Sequence, residues 1–156
     1  MQRVTNCILL DKGKVLLIKK PRRGWYAMPG GKMEQGESIK ESVTREYWEE
    51  TALKLRNPKL IGAFTFSIFN SDRIIQEWMM FTFISKSYNG ELTDYCREGE
   101  LEWVSLEDIK KLPMAEGDRM IFEHVLSSDA MLSGAFSYTE DYKLLEARLD
   151  PSAEIK

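Results

Sequence analysis

The chain has 156 residues, 43% of them apolar and 30% charged, and a formal net charge of −3. That length fits one domain with a core that needs no disulfide staples, and a composition without low-complexity tracts excludes a disordered or fibrous chain. The weak acidity argues against a protein that coats duplex nucleic acid through its overall field, and no apolar run approaches the roughly 18 residues of a membrane span. The start MQRVTNCILL lacks the apolar core and small-residue cleavage site of a secretion signal, so the expected location is the cytoplasm. Cys7 and Cys96 have no partner at metal-ligand spacing, which points to reduced thiols and away from zinc. The single His124 cannot supply a histidine triad, so acid–base chemistry falls to carboxylates, lysines or metal-activated water.

Val4 to Leu10 reads as a strand, the turn residues Asp11-Lys12-Gly13 follow, and Val15 to Ile18 resumes as strand, so the chain opens with a hairpin. Lys19, Lys20, Arg22 and Arg23 crowd a loop broken by Pro21, and Lys32 adds a charge beyond Pro29-Gly30-Gly31. They form either a solvated charged loop or a cationic patch that attracts a polyphosphate. A capping-box pattern, Ser38-Ile39-Lys40-Glu41, starts a helix that ends near Thr51 or Ala52. Leu60 to Phe69 and Glu77 to Ser85 are strand candidates, and one face of the second is suited to line a pocket for a flat base. Glu98, Glu100 and Glu102 alternate, so a strand would point all three the same way. Ser105 to Leu112 reads as a short helix with Ser105 as its N-cap, and Glu116 to Ser127 as another. Ala135 to Tyr138 and Leu144 to Leu149 form a closing hairpin, and the tail from Pro151 is expected to fray. Strands around one central helix, with further helices after them, fit an α/β domain over residues 1–150; an α+β layer fold is the alternative.

The central helix carries the chemistry. At roughly 100° per residue, Ile39, Val43 and Tyr47 form its apolar stripe. Glu46, Glu49 and Glu50, spaced i, i+3, i+4, fall beside that stripe rather than opposite it. Like charges at i, i+4 disfavour an isolated helix by a few tenths of a kcal/mol, so something cationic should compensate. A solvated acidic face is one reading. Oxygen ligands for a hard divalent cation at the rim of the protein body are the other.

The residues Gly31-x5-Glu37-x7-Arg45-Glu46-Tyr47-Trp48-Glu49-Glu50-Thr51-Ala52-Leu53 resemble the Nudix hydrolase signature G-x5-E-x7-R-E-U-x-E-E-x-G-U, where U is aliphatic. Six of its seven polar or glycine positions are met; Ala52 replaces the second glycine, and Tyr47 an aliphatic residue. The resemblance implies an α/β/α sandwich with a mixed sheet and hydrolysis of a nucleoside diphosphate linked to another group. It also implies Mg²⁺ or Mn²⁺ held by Glu46, Glu49, Glu50 and the Gly31 carbonyl, with Arg45 holding Glu46 and Glu37 behind them. Beyond the motif, PMAEGDRM and GAFSYTEDYKLLEARL are similar to the members that hydrolyse oxidised purine nucleoside triphosphates. There Glu98 falls where a further metal-binding or catalytic carboxylate stands, with Glu100 as fallback. Asp118 keeps one base-gripping carboxylate, while Ala115 and Gly117 depart from that group's pattern, and its base-contacting Asn has no match in Trp25 to Met28. Lys20, Arg23, Gly30, Gly31 and Lys32 are the candidates to hold the phosphates.

The expected activity is cleavage of a purine nucleoside triphosphate such as 8-oxo-dGTP to monophosphate and pyrophosphate. Removal of pyrophosphate from RNA 5′ ends is the alternative, and a non-catalytic nucleotide sensor the alternative from another class. The partner is a small nucleotide, and the state a monomer or homodimer.

Overall fold

The computed structural model describes residues 1–152; the end of the expected frayed tail lies outside them. Strands β1 (Gln2–Asp11) and β2 (Lys14–Lys19) form the opening hairpin, with Leu10 opposite Val15. Short strands β3 (Tyr26–Ala27) and β4 (Gly30–Lys32) lead to helix α1 (Ile39–Thr51). Next come β5 (Lys54–Arg56), the long hairpin β6 (Lys59–Asn70) and β7 (Arg73–Ser85), and β8 (Ser87–Asn89). Strand β9 (Glu100–Ser105), a 3₁₀ turn (Leu106–Lys111), helix α2 (Glu116–Ser127) and the hairpin β10 (Leu132–Thr139) and β11 (Leu144–Asp150) complete the chain.

Among the described residues the main sheet has nine strands, ordered β11-β10-β6-β7-β1-β2-β3, with β4 on β1 and β9 on β2. It is mixed: β1 runs parallel to β7 and β10 parallel to β6, and the other pairs are antiparallel. Alternation along β1 and β2 sorts side chains to two faces. Cys7, Leu9 and Leu16 meet Val43 and Tyr47 of α1 on one side. Ile8, Val15 and Leu17 join Phe64, Phe66 and Phe136, and Ile121 and Phe122 of α2, on the other. Each fully buried side chain of this kind stabilises the fold by about 1.5–3 kcal/mol. The result is the α/β/α sandwich that the resemblance implied.

Two expectations change. Glu98 is not on a strand with Glu100 and Glu102, because β9 begins only at Glu100. The short helix expected from Ser105 to Leu112 is a 3₁₀ helix over Leu106–Lys111, and Ser105 at its N-cap position makes no side-chain cap hydrogen bond.

Strand β1 divides its edge between two partners. Its outer part pairs with β4 (Thr5 opposite Gly31, Asn6 opposite Gly30), and its inner end pairs with β2. That division brings the glycine turn against the sheet. A Cβ on Gly30 would strike the Thr5 carbonyl and the Asn6 backbone, so no other residue fits there.

Candidate active site

Helix α1 is fixed at both ends by local chemistry. Ser38 Oγ accepts from the Glu41 amide (3.1 Å), and Glu41 Oε1 accepts from the Ser38 amide (2.8 Å), completing the capping box. At the other end Ala52 sits in the left-handed region at φ 65°, where its amide donates to the Trp48 carbonyl at 2.8 Å. The chain uses alanine where the motif has glycine and still adopts the glycine geometry. On the sheet side, the Thr5 and Ser42 hydroxyls meet at 2.9 Å.

Arg45 is the cation that the acidic helix needs. Its Nε donates to Glu37 Oε2 (2.6 Å) and its Nη2 to Glu37 Oε1 (2.9 Å), a two-pronged grip suited to a planar guanidinium. Nη1 donates to Glu46 Oε1 and Glu49 Oε2, both at 2.9 Å, and Nη2 also reaches the Lys32 carbonyl at 3.0 Å. The Arg45 hydrogen bonds, with that from the Glu34 amide, hold the Glu37 carboxyl down to about 2. Glu46 also lies against the glycine turn, where a Cβ on Gly31 would collide with its carboxylate.

Glu50 differs from its neighbours. Its Oε1 accepts a long hydrogen bond from the Gly30 amide (3.4 Å), while Oε2 is buried without a partner. Burial pushes its carboxyl up to about 7 against the pull of Lys20 and the Gly30 amide, and the charges of Glu46 and Glu98 add to the rise. The three glutamates and Glu98, with Tyr95, Cys96 and Arg97, line a cleft of about 520 Å³. Among the described residues no three acidic, cysteine or histidine side chains converge on one point, and Arg45 engages both Glu46 and Glu49. The donor set nevertheless fits a hard divalent cation. Glu50 Oε2 is an unpaired buried oxygen, and Glu49 is half exposed and held only by Arg45 Nη1, closely at Oε2 and loosely at Oε1.

A second cavity, about 480 Å³, opens on the other side of the glycine turn. Gly30, Gly31, Lys20, Asn6, Trp78 and Asp118 are among its lining residues. Trp78 stacks on Phe66 at 5.3 Å with a 6° interplanar angle, which gives the cavity a flat aromatic wall from the sheet. Asp118, in the first turn of α2, has its carboxyl raised to about 7 by burial.

Of the basic candidates, Lys20 reaches both neighbourhoods, lining the second cavity and lying near enough to Glu50 to oppose its rise. Arg23 sits elsewhere, between the rings of Trp25 (5.3 Å) and Tyr142 (5.1 Å). Lys32 contributes its carbonyl to Arg45 while its side chain lines neither cleft. Glu100 is exposed at the edge of β9, and Glu102 accepts from the Tyr26 hydroxyl at 2.9 Å. His124 bonds the Ala130 carbonyl at 2.7 Å and takes part in neither cleft. Sequence reading missed Asn6 and Tyr142. The trace of Asn6 is a lone amide inside the apolar run of β1; Tyr142 leaves none, since only the β10–β11 turn brings it to the basic loop.

A mixed sheet between helical layers thus holds a glutamate-bearing helix against a glycine turn. The NUDIX domain family matches residues 1–125, and the chain belongs to the Nudix hydrolases, which generally use divalent metal ions. It is 52% identical to the Nudix hydrolase YvcI of Bacillus subtilis over 97% of this chain and 96% of that one. It superposes on the crystal structure of a MutT protein from Bacillus halodurans with a TM-score of 0.95 and 54% identity, covering 98% and 100% of the two chains. It is also 26% identical to the NAD-capped RNA hydrolase NudC of Vibrio parahaemolyticus, over 80% of this chain but only 48% of that protein. Among the described residues no helix is long and apolar enough to cross a membrane.

Proposed function

We propose that this enzyme cleaves purine nucleoside triphosphates, oxidised ones such as 8-oxo-dGTP included, to the monophosphate and pyrophosphate, and so cleanses the nucleotide pool. The observation that carries this reading is the partition made by Gly30 and Gly31. A cavity with a flat aromatic wall lies on one side, and a cleft lined by carboxylates lies on the other. A triphosphate whose base enters the first presents its anhydride bonds to the second.

Glu46, Glu49 and Glu50, with the Gly31 carbonyl, are the residues to hold Mg²⁺ or Mn²⁺. The ion supplies charge withdrawal from the phosphates and acidifies an attacking water. Arg45 and Glu37 fix the position of the glutamates, and Lys20, which lines the second cavity and lies near Glu50, would meet the phosphates at the glycine turn. Glu98, which lines the same cleft, would act there as a further metal-binding or catalytic carboxylate. Asp118 faces the base.

The reading is tested by resolving the products formed with Mg²⁺ from 8-oxo-dGTP, dGTP, ADP-ribose, 5′-triphosphate RNA and NAD-capped RNA side by side: a monophosphate with pyrophosphate from the triphosphates, AMP with ribose 5-phosphate from ADP-ribose, and nicotinamide mononucleotide from the NAD cap. Preference for the free purine triphosphates supports it. Preference for an RNA 5′ end shifts the substrate to RNA, a reading favoured by the named activity of the NudC relative, and preference for ADP-ribose defeats both. Failure to hydrolyse any of them with either ion would instead favour a binding protein without activity.

A further inference from the structure

Strand β11 ends the main sheet beyond β10, and among the described residues no strand lies on its outer side. A bare strand edge is a row of amides and carbonyls that another strand can complete. At the middle of β11 stand two opposite charges, Glu146 and Arg148, 3.2 Å apart and both more than half exposed. An ion pair so exposed adds little to the stability of a single chain. The two share one face of the sheet, since Glu146 lies opposite Ser137 and Arg148 opposite Ala135 on β10, while Ala147 between them lies opposite the buried Phe136 on the other face. Leu145 falls where the register with β10 shifts, has no residue opposite it, and is 57% exposed.

The occupant that fits this edge is a second copy of it. In an antiparallel pair related by a two-fold axis normal to the sheet, one residue lies opposite its own counterpart and its neighbours pair outward from there. With Ala147 on the axis, Glu146 of each copy faces Arg148 of the other, and Leu145 of each comes beside Leu149 of the other. Both charges are then matched twice, and the exposed leucine gains an apolar neighbour. With Glu146 on the axis two glutamates meet. With Arg148 there, two arginines meet and Glu146 faces Asp150. Like charges directly opposite one another disfavour a strand pair, so of these three registers the edge is complementary to itself in one.

We propose that β11 is a self-association edge through which two copies of this chain join antiparallel, centred on Ala147, and extend their sheets into one. A single strand pair is a small interface for a permanent complex, so the dimer dissociates on dilution. Glu46, Glu49 and Glu50 are carried on α1, which packs over β1, four positions along the sheet from β11, so changes at this edge leave the glutamates in place.

The test is sedimentation of the whole protein over a concentration series. The average mass should climb from the 18.1 kDa of one chain toward twice that value as concentration rises. Glu146→Arg alone or Arg148→Glu alone sets like charges opposite one another and should weaken association by about tenfold or more, whereas the double exchange restores opposite charges and should recover it. Both positions are exposed, and an unchanged circular dichroism spectrum checks that each variant folds. In a Cys96→Ser background, Ala147→Cys should give a disulfide-linked dimer on mild oxidation, because directly opposed residues of an antiparallel pair lie within reach of that bond. Glu146→Cys, set diagonally from its counterpart, should not. A mass of one chain at every concentration, association indifferent to the single reversals, no recovery in the double exchange, or cross-linking of Glu146→Cys as readily as Ala147→Cys would overturn the proposal.

Discussion

Arg45 concentrates more of the site than any other residue, because one guanidinium fixes Glu37, Glu46, Glu49 and the Lys32 carbonyl together. Lysine offers a single point charge and cannot fill that fork. Arg45→Lys should therefore lower kcat by about 10–100-fold, the usual loss when a residue orienting metal ligands is changed. Glu49→Gln and Glu50→Gln should each reduce turnover by more than about 100-fold with the circular dichroism spectrum retained, since each removes an anionic oxygen donor while keeping the shape. Activity like the wild type in either variant would sink the metal assignment. The grip of Arg45 on both Glu46 and Glu49 also bears on order of events: an ion must share or displace those contacts, whereas Glu50 Oε2 is free to receive it.

Element α1 is held by one good cap and one strained exit. Glycine at position 52 would adopt φ near 65° without Cβ crowding, so Ala52→Gly should stabilise the protein by about 1 kcal/mol. For a chain of this size that is a rise of roughly 2–4 °C in melting temperature by calorimetry. Ser38→Ala should do the opposite, costing about 1 kcal/mol through loss of the capping box. If Ala52→Gly is neutral or harmful, the exit strain is relieved by packing around Thr51 and Leu53, both buried. The helix itself was legible in the sequence because its cap pattern and apolar stripe are local. The short helix after β9 is legible from Ser105 and Pro113 at its ends, but its 3₁₀ form is not, because both helix types share turn-forming residues.

At the scale of the whole molecule, folding buries the carboxyls of Glu50 and Asp118, which line the two clefts, and this makes stability depend on pH. Glu50 and Asp118, both near 7 in the folded protein against ordinary values of 4.5 and 3.8, bind protons more tightly when folded. Their contribution is fully present below those ordinary values and is lost as pH rises toward 7. Glu37, held at about 2 against 4.5, acts oppositely: its contribution is present above 4.5 and disappears as pH falls to 2. In chelator, the melting temperature should therefore peak near pH 4 to 5 and decline toward neutrality. Glu50→Gln should flatten the decline, and excess Mg²⁺ at pH 7 should restore stability to the wild type but not to that variant. A flat profile in chelator, or equal rescue of both proteins, would count against a desolvated metal ligand at Glu50.

The sequence by itself determined the reaction. The glutamates, the arginine and the glycine before them lie within one loop and one helix, and helical periodicity alone brings the carboxylates to one side beside the apolar stripe. Tertiary structure alone decided that the candidate base contacts share one cavity with Asn6. Asn6 comes from the first strand, Trp78 from the seventh and Asp118 from the second helix, so no local pattern links them. Only the parallel pairing of β1 with β7, and the short pairing of β1 with β4, sets them around one cavity behind the glycine turn.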